Sequence, residues 1–263
     1  MIGCEQGRVI SWLVDTSLAL LTAVIFLAVY LAAAVVLAVL YLARRSGHAA
    51  ALGPLSPGLL SPLGLIFGLL VGFLVADVWS DRAQAATSVS QEASALRDVD
   101  LLSSAFPAER PEIRQLLRDQ IDEYVTTEWP QMADGRATLS LAPALLVQIR
   151  GIVLGLPIQT DGQRVAQDRL ETSIDRALEA RRTRLVLSAS AIDPLRLTAL
   201  YLVAVTTLAA MGCVQADRLR RAATALALLA TAMAIALTLL VAQGAPFTGY
   251  YAIDPGHLLE VRP

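Results

Sequence analysis

The sequence contains no lysine and no asparagine, and it has only two cysteines and two histidines in 263 residues. Each absence closes off some chemistry. Without lysine there is no Schiff base and no P-loop lysine. Cys4 and Cys213 show no metal-ligand spacing, and His48 and His257 alone do not build a zinc site. No metal centre and no cofactor site is expected. All 21 basic residues are arginine, which fits the coding bias of a GC-rich bacterial genome. Charged residues make up 17% of the chain, against about 25% in an ordinary soluble domain. Net charge is −2, so no broad nucleic-acid-binding surface is expected. There is no convincing strand alternation and no internal repeat.

What the chain has in excess is apolar sequence. The hydrophobic set makes up 56% of it, and mean hydropathy is +0.58. The charges are spread unevenly. Residues 16–43, 197–216 and 222–253 are runs of 28, 20 and 32 residues without Asp, Glu, Arg or Lys. Eighteen or more such residues are enough to cross a bilayer core. Four transmembrane helices follow, at about residues 13–42, 59–79, 197–214 and 222–241. Trp12, Tyr41 and Trp79 sit near their ends, as interfacial aromatics do. The first run is far longer than a signal-peptide core and follows Glu5 and Arg8, so it is expected to remain as an anchor.

The expected architecture is all-α: an integral membrane protein with four spans and an inserted amphipathic helical domain outside the membrane. Its parts are a first hairpin at 1–79, the helical domain at 80–196, a second hairpin at 197–241 and a tail at 242–263. The insert shows helical periodicity in three places: Val89, Ala93, Leu96 and Val99; Ile113, Leu116, Leu117, Ile121 and Tyr124; and Leu170, Ile174, Ala177, Leu178 and Leu185. Residues 80–104 continue the second span outward. Pro107, Pro111, Pro130, Gly135 and the Asp161–Gly162 pair are expected breaks. With four spans, the N-terminus, the insert and the C-terminus share one side of a bacterial inner membrane. Arginine counts do not decide which side. Arg44, Arg45, Arg218, Arg220 and Arg221 occupy the short loops, whereas Arg181, Arg182, Arg184 and Arg196 lie on the insert side. Cys4 and Cys213 fall on opposite sides, so no disulfide is expected between them.

Two faces of the second span carry candidate functions. Gly64, Gly68, Gly72 and Ala76 recur every four residues, a small-residue stripe that lets another helix approach closely, within the chain or from a neighbouring subunit. Ile66, Leu70, Phe73 and Asp77 fall within about 60° of one another on the opposite face. If that face lines a pore, Phe73 is a hydrophobic constriction and Asp77 stands near the mouth, where a ring of aspartates favours cations. The plainer reading of Asp77 is a helix-end cap or a partner of Arg82. Asp15, Asp77, Asp193 and Arg196 form a candidate charged cluster at one membrane face, more readily a structural network than a transport site. In the insert, Glu92, Asp122, Glu123 and Glu128 lack the histidine that a di-metal helical bundle needs, and no Ser, Thr or Cys has a histidine to activate it. They are expected to pair with arginines, and an enzyme is not expected.

With the spans placed, the chain resembles a bacterial family of four-span membrane proteins with bestrophin-like domains. The resemblance rests on motifs in order along most of the chain: the glycine-rich second span running into Asp77, Trp79, Asp81 and Arg82; Gln91, Glu92 and Leu96; Glu128, Trp129 and Pro130 with Met132, Gly135 and Arg136; Ala180, Arg182, Arg184 and Leu185; and Pro246, Phe247 and Gly249. The family tail carries an acidic residue two positions before the Pro-Phe pair, where this chain has Gly244. The family has no established activity of its own. By analogy with bestrophins, the resemblance implies a homo-oligomeric anion channel, pentameric, with second helices around a central pore, inorganic ions as permeants and the insert and both termini cytoplasmic. Against the analogy, Asp77 on the pore face repels anions, and the short-loop arginines are then outside the cytoplasm. The other reading is a non-conducting scaffold or sensor whose helical insert binds a partner.

Overall fold

The computed structural model describes residues 18–46, 58, 60–139, 143–189, 194–216, 218–248 and 252–263. All regular structure among them is helical: α1 (Leu18–Arg45), α2 (Leu60–Ser103), α3 (Arg110–Glu123), α4 (Trp129–Ala133), α5 (Ala144–Leu154), α6 (Asp161–Ala189), α7 (Pro194–Val214), α8 (Leu219–Gln243) and α9 (Gly256–Glu260). Four of these, α1, α2, α7 and α8, are long and apolar enough to cross a membrane. The contacts divide the chain into two units: Met1–Ser80 with Ala191–Ala245, and Asp81–Ser190 with Pro246–Pro263.

The first unit holds the apolar helices. Small residues make its core: Ala33 of α1, Ala204 of α7 and Ala230 and Ala234 of α8 pack with Val29, Leu208, Leu226 and Met233. This suits a bilayer, where lipid tails are as apolar as leucine and close van der Waals packing drives association. At Gly212 of α7 an added Cβ would lie 2.8 Å from Val36 Cγ1 and 2.9 Å from Leu40 Cδ1 of α1. Glycine is what allows that approach. One polar contact ties α1 to α8: the Tyr30 hydroxyl lies 2.8 Å from Thr231 Oγ1. Thr231 gives its own proton to the Ala227 carbonyl, so Tyr30 is the donor. Asp15 and Asp193, and the start of the expected first span, lie outside the described residues.

The second unit is built on the expected periodic faces. Val89, Val99, Ile113, Ile121, Leu170 and Ile174 are all fully buried in one core. That core also takes Leu146, Ile149 and Val153 from α5, a helix the breaks at Gly135 and Asp161 leave unnamed in the sequence. It takes Phe247 and Leu258 from the tail as well.

Two expected breaks are not breaks. Pro111 sits in the first turn of α3, where its missing N–H costs nothing. Pro130 lies in the first turn of α4, and the chain stays helical from α3 into α4 through a π-helical turn at Tyr124–Glu128. The Trp129 N–H donates to the Tyr124 carbonyl, one residue further back than in an α-helix. The wider turn makes room for a proline ring that would clash in a regular helix. Gly135, at φ 65°, does end α4. Its N–H donates to the Met132 carbonyl and that of Arg136 to the Gln131 carbonyl, the paired bonds of a glycine-terminated helix.

Candidate functional site

Within the second unit, α2, the π turn, α4 and α6 converge on a buried charge cluster. Arg184 of α6 has no solvent exposure. Its Nε donates to Glu92 Oε2 at 2.7 Å and its Nη2 to Glu92 Oε1 at 3.1 Å, a two-pronged grip. Nη2 also donates to Glu128 Oε1 at 2.6 Å, and Nη1 points to the Met132 sulfur at 3.3 Å. Arg181, one turn earlier, donates through Nε and Nη2 to Glu128 Oε2 at 2.8 and 2.5 Å. Two carboxylates therefore face two guanidiniums.

Aromatic rings complete the enclosure. The Arg184 guanidinium carbon lies 4.9 Å from the Trp129 ring and 5.2 Å from the Tyr124 ring, with Arg181 at 5.8 Å from Tyr124. Ring faces attract a desolvated cation. Trp129 meets Phe247 edge to face at 5.6 Å, and its indole N–H donates to the Ile253 carbonyl at 3.2 Å. The tail thus abuts the wall of the cluster.

Burial sets the electrostatics. Glu92 lies in the half of α2 beyond its apolar stretch. Burial pushes its carboxyl above the ordinary carboxylate value, and the Arg184 charge opposes that rise. Burial, with the nearby Glu92 carboxylate, pushes the Tyr124 phenol well above its ordinary value. For Arg184, burial favours loss of the proton, but Glu92 and Glu128 outweigh it and hold the guanidinium protonated. A cleft of about 130 Å³ opens beside the cluster, lined by residues including Gln120, Tyr124, Glu128 and Arg181. The cluster's ion pairs tie α6 to α2 and to the π turn.

The motif residues Glu92, Glu128, Trp129, Arg184 and Phe247 are thus brought together, with Pro246 buried beside Phe247. Arg182 is exposed and stays out; Arg181 takes the second guanidinium position. Helical phase carries that distinction, since residues three apart share a face and residues two apart do not. Gly249 lies outside the described residues. Among the described residues no group of three or more His, Cys, Asp or Glu could hold a metal ion.

In the first unit, the second span presents its two marked faces differently from its neighbours. Phe67, Leu70, Val71, Leu74, Val75 and Val78 pack inward. Phe73 is 68% exposed, and Ile66 and Asp77 are exposed as well. Gly64, Gly68, Gly72 and Ala76 are also exposed, and a Cβ placed on any of the three glycines meets nothing within 4 Å among the described residues. Asp77 neither caps a helix end nor turns to Arg82: it lies inside α2 and accepts a hydrogen bond from Arg196 Nη1 of α7 at 2.9 Å.

A model of the bestrophin-like domain matches residues 27–258 of the chain. No curated protein matches it. The crystal structure of a membrane protein P143A superposes with a TM-score of 0.66, covering 92% of this chain and 96% of that one at 13% identity. At that identity the likeness concerns the fold alone.

Proposed function

The chain belongs to the bestrophin-like family of membrane proteins, and on that premise we propose that it is a homo-oligomeric ion channel whose second helices surround a central pore. The observation that carries this reading is how little of the second span the protomer covers. Only 6% of the most apolar stretch of α2 is buried, against 17% in α1 and 28% in each of α7 and α8. That same stretch holds the small-residue stripe Gly64, Gly68, Gly72 and Ala76, open to a neighbouring subunit. Close helix approach is the means by which apolar helices associate in lipid. Ile66, Phe73 and Asp77 then face the axis, Leu70 of the same expected face packs instead toward α7, and Phe73 forms the hydrophobic constriction. A pentamer follows from the bestrophin analogy, with inorganic ions as the permeants and a bacterial inner membrane as the location.

The test pairs subunit counting with ion flux in liposomes. Wild-type protein is expected to run as an oligomer and to pass ions. Gly68→Leu is expected to dissociate the oligomer while leaving the protomer folded, because a Cβ at that position meets nothing within 4 Å among the described residues. Protein that is monomeric in detergent and in bilayers, with no flux, would sink the reading. A stable oligomer that passes no ion points instead to a non-conducting scaffold or sensor. In its favour is an open polar cleft of about 430 Å³ between α2 and α6, lined by residues including Gln91, Ser94, Asp98, Arg176 and Glu179.

A further inference from the structure

The faces marked in the sequence give the pore wall to the second helix alone. The structure brings α7 to the same wall. A groove of about 260 Å³ runs between the two helices, lined by Leu70, Phe73 and Leu74 of α2 and by Ala199 and Leu200 of α7. Asp77 and Arg196 close its polar end, 2.9 Å apart. We infer that Arg196 is a selectivity-determining residue of the conduction path, held against Asp77 so that it cancels the ring of negative charge the aspartates would otherwise form. The inference rests on the channel reading above and adds to it a residue from a second helix.

Two physical points support it. The side chains of the pair are 62% and 56% exposed, and an ion pair this open contributes little to stability. Its placement therefore needs another reason. Charges facing hydrocarbon are costly and are found beside water or a protein interior. This pair keeps most of its surface uncovered at the end of an apolar wall, one helical turn past the exposed Phe73. That position suits the mouth of a water-filled passage. A bare ring of aspartates there would select cations. A ring of Asp77–Arg196 pairs is neutral overall, so it removes the conflict between the aspartate and anion passage.

The test measures reversal potentials in asymmetric KCl for reconstituted wild type, Arg196→Gln, Asp77→Asn and the charge swap Asp77→Arg with Arg196→Asp. Elution as the wild-type oligomer establishes that each variant is assembled. Arg196→Gln is expected to raise the cation-to-anion permeability ratio by at least about threefold, and Asp77→Asn to lower it by a similar factor. The swap is expected to bring the ratio back towards wild type. A purely structural pair would change current size without moving the ratio. Wild-type current with the same ratio in all three variants overturns this inference and leaves the channel reading standing. Absence of any wild-type current overturns both.

Discussion

Arg184 has no contact with solvent, yet each edge of its guanidinium meets a charge or a soft acceptor. Removing it strands Glu92, itself fully buried, without its counter-charge. Arg184→Ala is therefore expected to cost about 3–5 kcal/mol, seen as a lower thermal midpoint in detergent. Arg184→Lys should not rescue it, because an ammonium cannot grip both Glu92 oxygens in a fixed plane. The Tyr124 hydroxyl is buried with no hydrogen-bond partner among the described residues. Tyr124→Phe should then leave the midpoint unchanged or raise it, since deleting an unsatisfied polar group removes a desolvation cost. The pH dependence has a definite sign. Burial raises the folded-state pKa of Glu92 above its ordinary 4.5, so its contribution is fully present below that value and is lost as pH rises through the raised one. The Glu92→Gln variant should lack this part of the decline, read as the difference between the two midpoint-versus-pH curves. The carboxylates and arginines of this cluster stand out in the sequence as motif members, and pairing between them is the expected outcome. Their joining is not readable there. Glu92 and Arg184 are 92 positions apart, and no periodicity links helices across such a distance.

Along α2, one uninterrupted helix carries two kinds of sequence: an apolar stretch up to Trp79 and an amphipathic one beyond it. Long uncharged runs mark the spans, and α7 and α8 differ from the expected bounds by no more than three residues at any end. The helix faces of the second unit are legible for the same reason, because period 3.6 survives in Val89 to Val99 and in Leu170 to Leu185. Proline is where local rules mislead. At 111 it opens a helix, and at 130 the π turn absorbs it, a remedy that depends on the packing of Tyr124 and Trp129 rather than on any local residue pattern. Glycines, too, divide by surroundings. Gly212 touches two side chains of α1, so Gly212→Val should overpack that contact and cost about 1–3 kcal/mol, measurable as a lower unfolding midpoint. A Cβ at Gly64 or Gly72 meets nothing within 4 Å among the described residues, so alanine there should raise helix stability slightly in a monomer and weaken subunit association.

At the scale of the whole chain, sequence order and spatial grouping part company. The last eighteen residues cluster with the helical insert, and Phe247 and Leu258 enter its core. The stretch at 244–251, uncharged and helix-breaking, gives no periodic sign of that docking. Phe247→Ala should cost about 3 kcal/mol, by leaving a cavity and taking the edge-on ring from Trp129, with the loss read by thermal unfolding of the purified protein. Family membership and the four-span fold account for where the chain resides. The exposed second span, the small-residue stripe and the Asp77–Arg196 pair together support a pore built from several copies. The most direct test of that claim is single-particle imaging of the protein in lipid nanodiscs at side-chain resolution. The account predicts a closed ring of subunits with the second helices innermost, Phe73 facing the axis and Gly64, Gly68 and Gly72 against a neighbouring subunit. A monomer, or an oligomer whose second helices face lipid with no central passage, would contradict it.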